Sequence, residues 1–404
     1  MFELTCEVCG FCAPDGALSA CPICDGTIEI SYPHPLTIDP ARPGLWRYAA
    51  RLPLRDPANA ISLGEGATPL LRAGRLGREL GLPNLHFKVE GANPTGSYKD
   101  RIAAVGIARL LELGKAAWAA TSSGNAGAAI AAYGARAGVP GYLFTLERAA
   151  PAKLAQILAY GPTVRAVARL GYDPAVEQAT WRNIRTLCDA NNWLMLVTAR
   201  SFSPHAMEGV KTISYEVCAQ LGGVAPDVVY VPVGGGGLLS ASWKGFREWH
   251  AAGFVDRLPR MVAVQARGCD PVAQAWAAGR PVAPLASCES AISGIQLTAP
   301  PDGDLALRAL HESGGWAVAV PDEATYQAQA DLAAYEGIFV EPAAATTLAA
   351  IREDLARGSL GGDETVTCWL TGVGFKDAAA VQRMAEGRAV ELIDADEILA
   401  LRAG

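Results

Sequence analysis

An apolar run, Val228-Val229-Tyr230-Val231-Pro232-Val233, stops at four glycines, Gly234 to Gly237, and a helical pattern follows. A continuous apolar stretch of this length reads as a strand buried on both faces, and such strands belong to parallel sheets covered by helices. The rest of the chain keeps to this rule. Strands are predicted over 85–89, 116–120, 142–145, 163–167, 193–197, 261–265 and 366–370, with helices over 97–113 and 126–137. Alternation of this kind predicts an α/β fold with open, mostly parallel sheets. No internal repeat is visible. The 404 residues give room for two or three domains at about 100–200 residues each.

The ten cysteines are unevenly placed, and five of them fall within the first 24 residues. Cys6/Cys9 and Cys21/Cys24 form two C-x-x-C pairs, the spacing of thiolate knuckles around tetrahedral zinc. Cys12 leaves Cys9/Cys12 open as an alternative pair. Four thiolates fill the coordination sphere, so the zinc is expected to be structural. A ribbon of this kind over 1–32 is followed by a proline-rich, ordered connector over 33–60. Cys188, Cys218, Cys269, Cys288 and Cys368 are expected to be core or loop thiols of a reducing compartment. The start of the chain lacks a secretory pattern and no apolar run spans a bilayer, so a cytoplasmic protein with no membrane partner is predicted. The formal net charge of −7 argues against a nucleic-acid partner.

In open parallel sheets ligands gather where strands end and helices begin. Four such turns carry chemistry. In Asn93-Pro94-Thr95-Gly96-Ser97-Tyr98-Lys99-Asp100, Ser97 can cap a helix. Lys99 then falls in the first turn, where the helix dipole disfavours an ammonium; this makes it a plausible nucleophile for a Schiff base. The competing reading is a surface lysine paired with Asp100. Thr121-Ser122-Ser123-Gly124-Asn125-Ala126-Gly127 offers hydroxyls and free N–H groups to a carboxylate. Gly234, Gly235, Gly236 and Gly237 let the backbone wrap one phosphate. Thr371, in Thr371-Gly372-Val373-Gly374-Phe375-Lys376-Asp377, places a neutral hydroxyl at the sheet's edge. A lysine, a carboxylate seat, a phosphate cup and a neutral hydroxyl together match pyridoxal phosphate chemistry on amino acids.

These segments, with Ile61 to Leu70 and Phe339 to Ala345, occur in an order that resembles the threonine synthase branch of the fold type II (tryptophan synthase β-like) pyridoxal phosphate enzymes. The resemblance implies a two-domain body, with a large cofactor domain over 61–110 and 200–404 and a small mobile domain over 111–199. It implies that Lys99 bonds the cofactor and shuttles protons, that Asn125 meets the ring hydroxyl, that Gly234 to Gly237 hold the phosphate, and that Thr371 faces the ring nitrogen. Ser122, Ser123, Gly124, Asn125 and Ala126 would meet a small amino-acid substrate, with Ser123 close to the chemistry. Relatives are commonly dimers, which implies a homodimer.

Three departures bear on the substrate. Ala126 replaces a threonine, and the glycine loop looks like that of serine/threonine ammonia-lyases. In Ser203-Pro204-His205-Ala206-Met207-Glu208-Gly209, Ala206 stands where the resemblance places a substrate-phosphate arginine. Hydrogen bonds to a charged group are worth roughly 1.5–3 kcal/mol each, so Arg200, or His205, is expected to compensate. Restoring arginine at 206 is expected to raise activity on a phosphorylated substrate. Three readings follow: a threonine synthase-like lyase, a β-eliminating or β-replacing enzyme on a substrate without phosphate, and a zinc-ribbon interaction protein with an inactive body.

Overall fold

The computed structural model describes residues 2–13, 15–16, 19–122, 124–149, 151–171, 173–387 and 390–400. An N-terminal antiparallel sheet comprises β1 (Glu3–Cys6), β2 (Cys12–Ala13) and β3 (Ile28–Ser31), in the order β2-β1-β3. The body holds two further sheets. After β4 (Leu70–Arg72) and β5 (Leu85–Val89), the chain builds a four-stranded parallel sheet from β6 (Trp118–Thr121), β7 (Gly141–Leu146), β8 (Thr163–Val167) and β9 (Leu194–Met195), ordered β8-β7-β6-β9. It then returns as β10 (Val228–Pro232), β11 (Arg260–Ala266), β12 (Trp316–Val320) and β13 (Val366–Leu370). These complete a six-stranded sheet, β12-β11-β10-β13-β5-β4, parallel except for β4 at its edge.

The apolar run around Val228 is fully buried as β10, with β11 and β13 on either side. The segment predicted over 193–197 pairs for only two residues. The Leu196 N–H still donates to the Ala119 carbonyl (2.8 Å), and on the open edge of the sheet the Val197 N–H donates to Ser203 Oγ (2.9 Å). Helix Lys99–Glu112 is buried from Asp100 to Leu110. Small residues make this possible: a Cβ at Gly106 would lie 2.9 Å from Leu196 Cδ2 and 3.2 Å from Ala206 Cβ. Ser97 does not cap that helix. The cap position is Tyr98, without a side-chain bond, and Ser97 instead bridges to Gly372 with its hydroxyl buried.

A buried ion cluster fixes the start of this helix. Arg101 donates to both oxygens of Glu90 (2.8 Å each) and both oxygens of Glu216 (2.7 Å each), while Lys88 donates to Glu216 (2.7 Å). Four charges balance within the cluster, and all four side chains are buried. Ion pairs also hold the N-terminal sheet to the body. Arg200 bonds Glu7, Glu29 and the Ile28 carbonyl; Lys244 bonds Glu29 and the Ile30 carbonyl; Asp15 pairs with Arg55 and Arg109. Phe2 lies edge-on to His205, with ring centroids 6.0 Å apart.

One cysteine expectation is corrected. Cys269 and Cys288 are not separate thiols but a disulfide, their Cα atoms 4.8 Å apart. Cys269 is placed there by the turn after β11, where it bridges back to Ala266. Cys188, Cys218 and Cys368 are buried free thiols, as expected.

Candidate active site

Lys99 opens its helix directly below the carboxyl end of β5, and its Nζ donates to Thr198 Oγ1 at 2.9 Å. It is not a surface lysine paired with Asp100. Asp100 is fully buried and accepts from the Thr95 N–H (3.0 Å) and Thr95 Oγ1 (2.7 Å). Burial raises the Asp100 pKa to about 6 against the pull of those bonds.

The turn before Lys99 is stitched to the turn after β13. The Tyr98 N–H donates to the Thr371 carbonyl (3.0 Å), and the Val373 N–H to the Gly96 carbonyl (2.9 Å). Thr371 is thereby brought beside Lys99 at the sheet's edge, and it is buried. Asn125 begins helix Asn125–Ala137 after β6, behind the cap residue Gly124, which makes no side-chain cap. Among the described residues no side chain caps the first N–H groups of that helix, which suits them to a ligand. The Gly124 N–H donates to Ser122 Oγ (3.1 Å). Ser123 lies outside the described residues.

Asn125 and Thr371 share one partner that the sequence reading did not select. Asn125 Nδ2 donates to Glu341 Oε2 at 2.9 Å, and Thr371 Oγ1 donates to Glu341 Oε1 at 3.3 Å. A Cβ at Gly372 would lie 2.4 Å from Glu341 Oε1, so only glycine leaves room for this carboxylate. Thr95, Gly124, Asn125, Gln156, Glu341 and Lys376 are among the residues lining a cleft of about 320 Å³.

The four glycines form a turn between β10 and helix Gly237–Ala251. Gly236, at φ 92°, takes the cap position without a side-chain cap. A Cβ at Gly236 would lie 2.4 Å from the Asp302 carbonyl oxygen. This is a backbone cradle on an uncapped helix start, and it suits a phosphate. Asp302 braces it: its N–H donates to the Gly235 carbonyl (2.8 Å), and its carboxylate accepts from the Arg200 N–H (2.7 Å) and the Ser201 N–H (3.1 Å). Burial nonetheless pushes the Asp302 pKa up.

Two expectations fail here. The Arg200 side chain does not face the cleft. Its guanidinium is spent on Glu7, Glu29 and the Ile28 carbonyl of the N-terminal sheet. His205 packs on Phe2, and burial, aided by Arg109, lowers its pKa to about 4. Ala206 lines a separate cavity of about 80 Å³ with Gly106, Arg109 and His205. An arginine there would crowd Gly106 and sit beside Arg109. Ala206→Arg is therefore expected to give no gain on a phosphorylated substrate and to cost about 1–3 kcal/mol by overpacking alone. Thermal melts and steady-state rates of the variant check this.

The four cysteines of the N-terminal pairs converge. The Sγ atoms of Cys6, Cys9, Cys21 and Cys24 all lie within 4.8 Å of one another. The Val8 and Cys9 N–H groups point at Cys6 Sγ (3.4 and 3.5 Å), and the Ile23 N–H at Cys21 Sγ (3.4 Å). Cys12 stays exposed, with its thiol directed at the Gly10 carbonyl, so the alternative Cys9/Cys12 pairing is not formed.

Residues 61–372 match the family model described as pyridoxal-phosphate dependent enzyme. A threonine synthase of Methanosarcina acetivorans is 39% identical, over 94% of each chain. That of Methanocaldococcus jannaschii is also 39% identical, over 90% of each chain. Among solved structures, a threonine deaminase from T.th. is 27% identical with a TM-score of 0.63, over 76% of this chain and 92% of that one. Maize serine racemase, 23% identical with a TM-score of 0.66 over 78% and 90%, shares the fold. With Lys99, Asn125, the glycine cradle and Thr371 arranged at the strand ends, and with relatives matching along nearly the whole length, the chain belongs to the threonine synthase-like branch of the pyridoxal phosphate-dependent enzymes.

Proposed function

We propose that this lyase converts O-phospho-L-homoserine and water into L-threonine and inorganic phosphate. The observation that carries the reading is the similarity to threonine synthases over 94% of both chains. Pyridoxal phosphate, when bound, supplies an electron sink that lets a substrate Cα–H bond break and a β or γ group depart. The chain's own residues hold that group and the substrate. Lys99 Nζ would bond the cofactor and, once released, carry the proton at Cα. Gly234 to Gly237 would hold its phosphate. Asn125 would meet its ring hydroxyl and Thr371 its ring nitrogen. The uncapped start of helix Asn125–Ala137, with Ser122, Ser123, Gly124 and Ala126, would seat the substrate carboxylate. The segment 111–199, which holds the four-stranded sheet, would act as the small mobile domain.

A second reading is an ammonia-lyase acting on threonine or serine. It is favoured by the glycine loop and by the location of Ala206 outside the cleft. One assay separates the two. Cofactor-loaded protein is given O-phospho-L-homoserine, L-threonine or L-serine, and phosphate, threonine and 2-oxo acid are followed. Equal release of phosphate and threonine from the first supports the synthase. A 2-oxo acid from the others, without phosphate release, replaces it with the ammonia-lyase.

We further propose that Cys6, Cys9, Cys21 and Cys24 hold structural zinc. The four thiols match its preferred ligand set and leave no open position for substrate. One zinc per chain is expected by elemental analysis, and Cys21→Ser should lose it. A metal-free native preparation would remove this assignment. The small amino-acid substrate is the partner the cleft accommodates; the homodimer implied by the relatives is checked by light scattering.

A further inference from the structure

We infer that Lys376, held by Gln156, is the seat for the phosphate of the substrate in the cleft that the carboxylate seat also lines. This rests on the reading above and names the group that discriminates a phosphorylated substrate. Arg200 is committed to the N-terminal sheet and Ala206 borders another cavity, so neither supplies the cation. The turn Gly374–Lys376 brings Lys376 into the cleft that Gly124 and Asn125 also line.

Its Nζ donates to Gln156 Oε1 at 2.5 Å. Gln156 is itself fixed, since its amide nitrogen donates to the Thr95 carbonyl and to Tyr160 Oη, each at 3.2 Å. Gln156 is neutral, and among the described residues Lys376 forms no ion pair. An ammonium has three donors; two remain for the open volume. Burial lowers the Lys376 pKa, while the charges of Glu341 and Asp100 hold it up from farther away. Glu341 lies in the same cleft, but its two oxygens are engaged by Asn125 and Thr371. The cleft thus carries two positive features, a helix start and a lysine, and a substrate with two anionic groups matches both. A lysine binds phosphate as a point charge, without the paired geometry of arginine.

The test uses the cofactor-loaded enzyme, Lys376→Met and Lys376→Arg. Titration calorimetry measures inorganic phosphate binding, and steady-state assays measure kcat and KM for O-phospho-L-homoserine. The Met variant is expected to lose phosphate binding and to raise KM about ten- to hundredfold, with the cofactor absorbance band retained and kcat changed much less. The Arg variant should recover most of the binding. An unchanged KM and phosphate affinity in the Met variant overturns the inference, as does loss of the absorbance band, which would make Lys376 a cofactor or folding residue. If the native enzyme binds phosphate through Lys376 but turns over only serine or threonine, the anion seat stands and the synthase reading falls. Absence of phosphate binding in the native enzyme overturns the seat itself.

Discussion

Lys99→Ala is expected to lower turnover by at least about 10²–10⁴-fold, the range for losing a positioned proton-transfer group alone. It should also abolish covalent retention of the cofactor. The two losses come from one atom, because Nζ is the amine placed at the end of β5 beside Thr371 and Thr198. Borohydride reduction followed by peptide mapping checks the second loss directly: the native protein should carry the label on Lys99, and the variant should carry none. Lys99→Arg keeps the charge and should not rescue either property, since a guanidinium stays protonated and does not condense with a carbonyl. Turnover that survives in Lys99→Ala, or a label on another lysine, would sink the assignment.

The second large effect concerns stability. Glu216→Ala is expected to cost about 3–5 kcal/mol, because it strands Lys88 and Arg101 in the interior with only Glu90 to balance them. Urea melts with saturating cofactor read this directly, and a cost under about 1 kcal/mol would show that water reaches the cluster. The same group gives a pH dependence. Burial opposes ionisation of Glu216, but Arg101 and Lys88 outweigh it and hold its pKa at about 2, below the ordinary 4.5. A depressed folded-state pKa contributes stability that is complete above the unfolded value and fades as pH falls through the folded one. The native enzyme should therefore lose stability from about pH 4.5 down to about pH 2, and Glu216→Ala should show a shallower acid slope. Glu208, held at about 2 between Lys211 and Lys244 against its burial, adds to the native slope in the same window.

The parts of the fold that were legible from sequence are those written locally. The run at Val228 and its glycines, Lys99 in a first helical turn and the two C-x-x-C pairs each carry their signal within a dozen residues. Residues whose role depends on distant partners were not legible in this way. Glu341 reaches Asn125 across 216 positions of sequence. It sits in a segment, Phe339 to Ala345, that the resemblance flagged, but no spacing rule marks its carboxylate as the shared partner. Arg200 was misplaced for the same reason. It lies in the loop after β9, yet its guanidinium leaves that loop on the side of the N-terminal sheet. Edge strand β4 escaped because three residues carry no usable alternation.

The salt links between the N-terminal segment and the body make that segment a counterion as well as the carrier of a four-cysteine cluster. Glu7, Glu29 and Asp15 cover Arg200, Lys244, Arg109 and Arg55. A chain trimmed to begin at residue 33 would strip Arg200 and Arg55 of the carboxylates that pair with them among the described residues, while Lys244 keeps Glu208 and Glu248 and Arg109 keeps Glu112. Such a protein, although acidic overall, would hold polyanions more readily than the full chain does. Its retention on heparin would then report the missing acidic cover and would say nothing about a biological ligand.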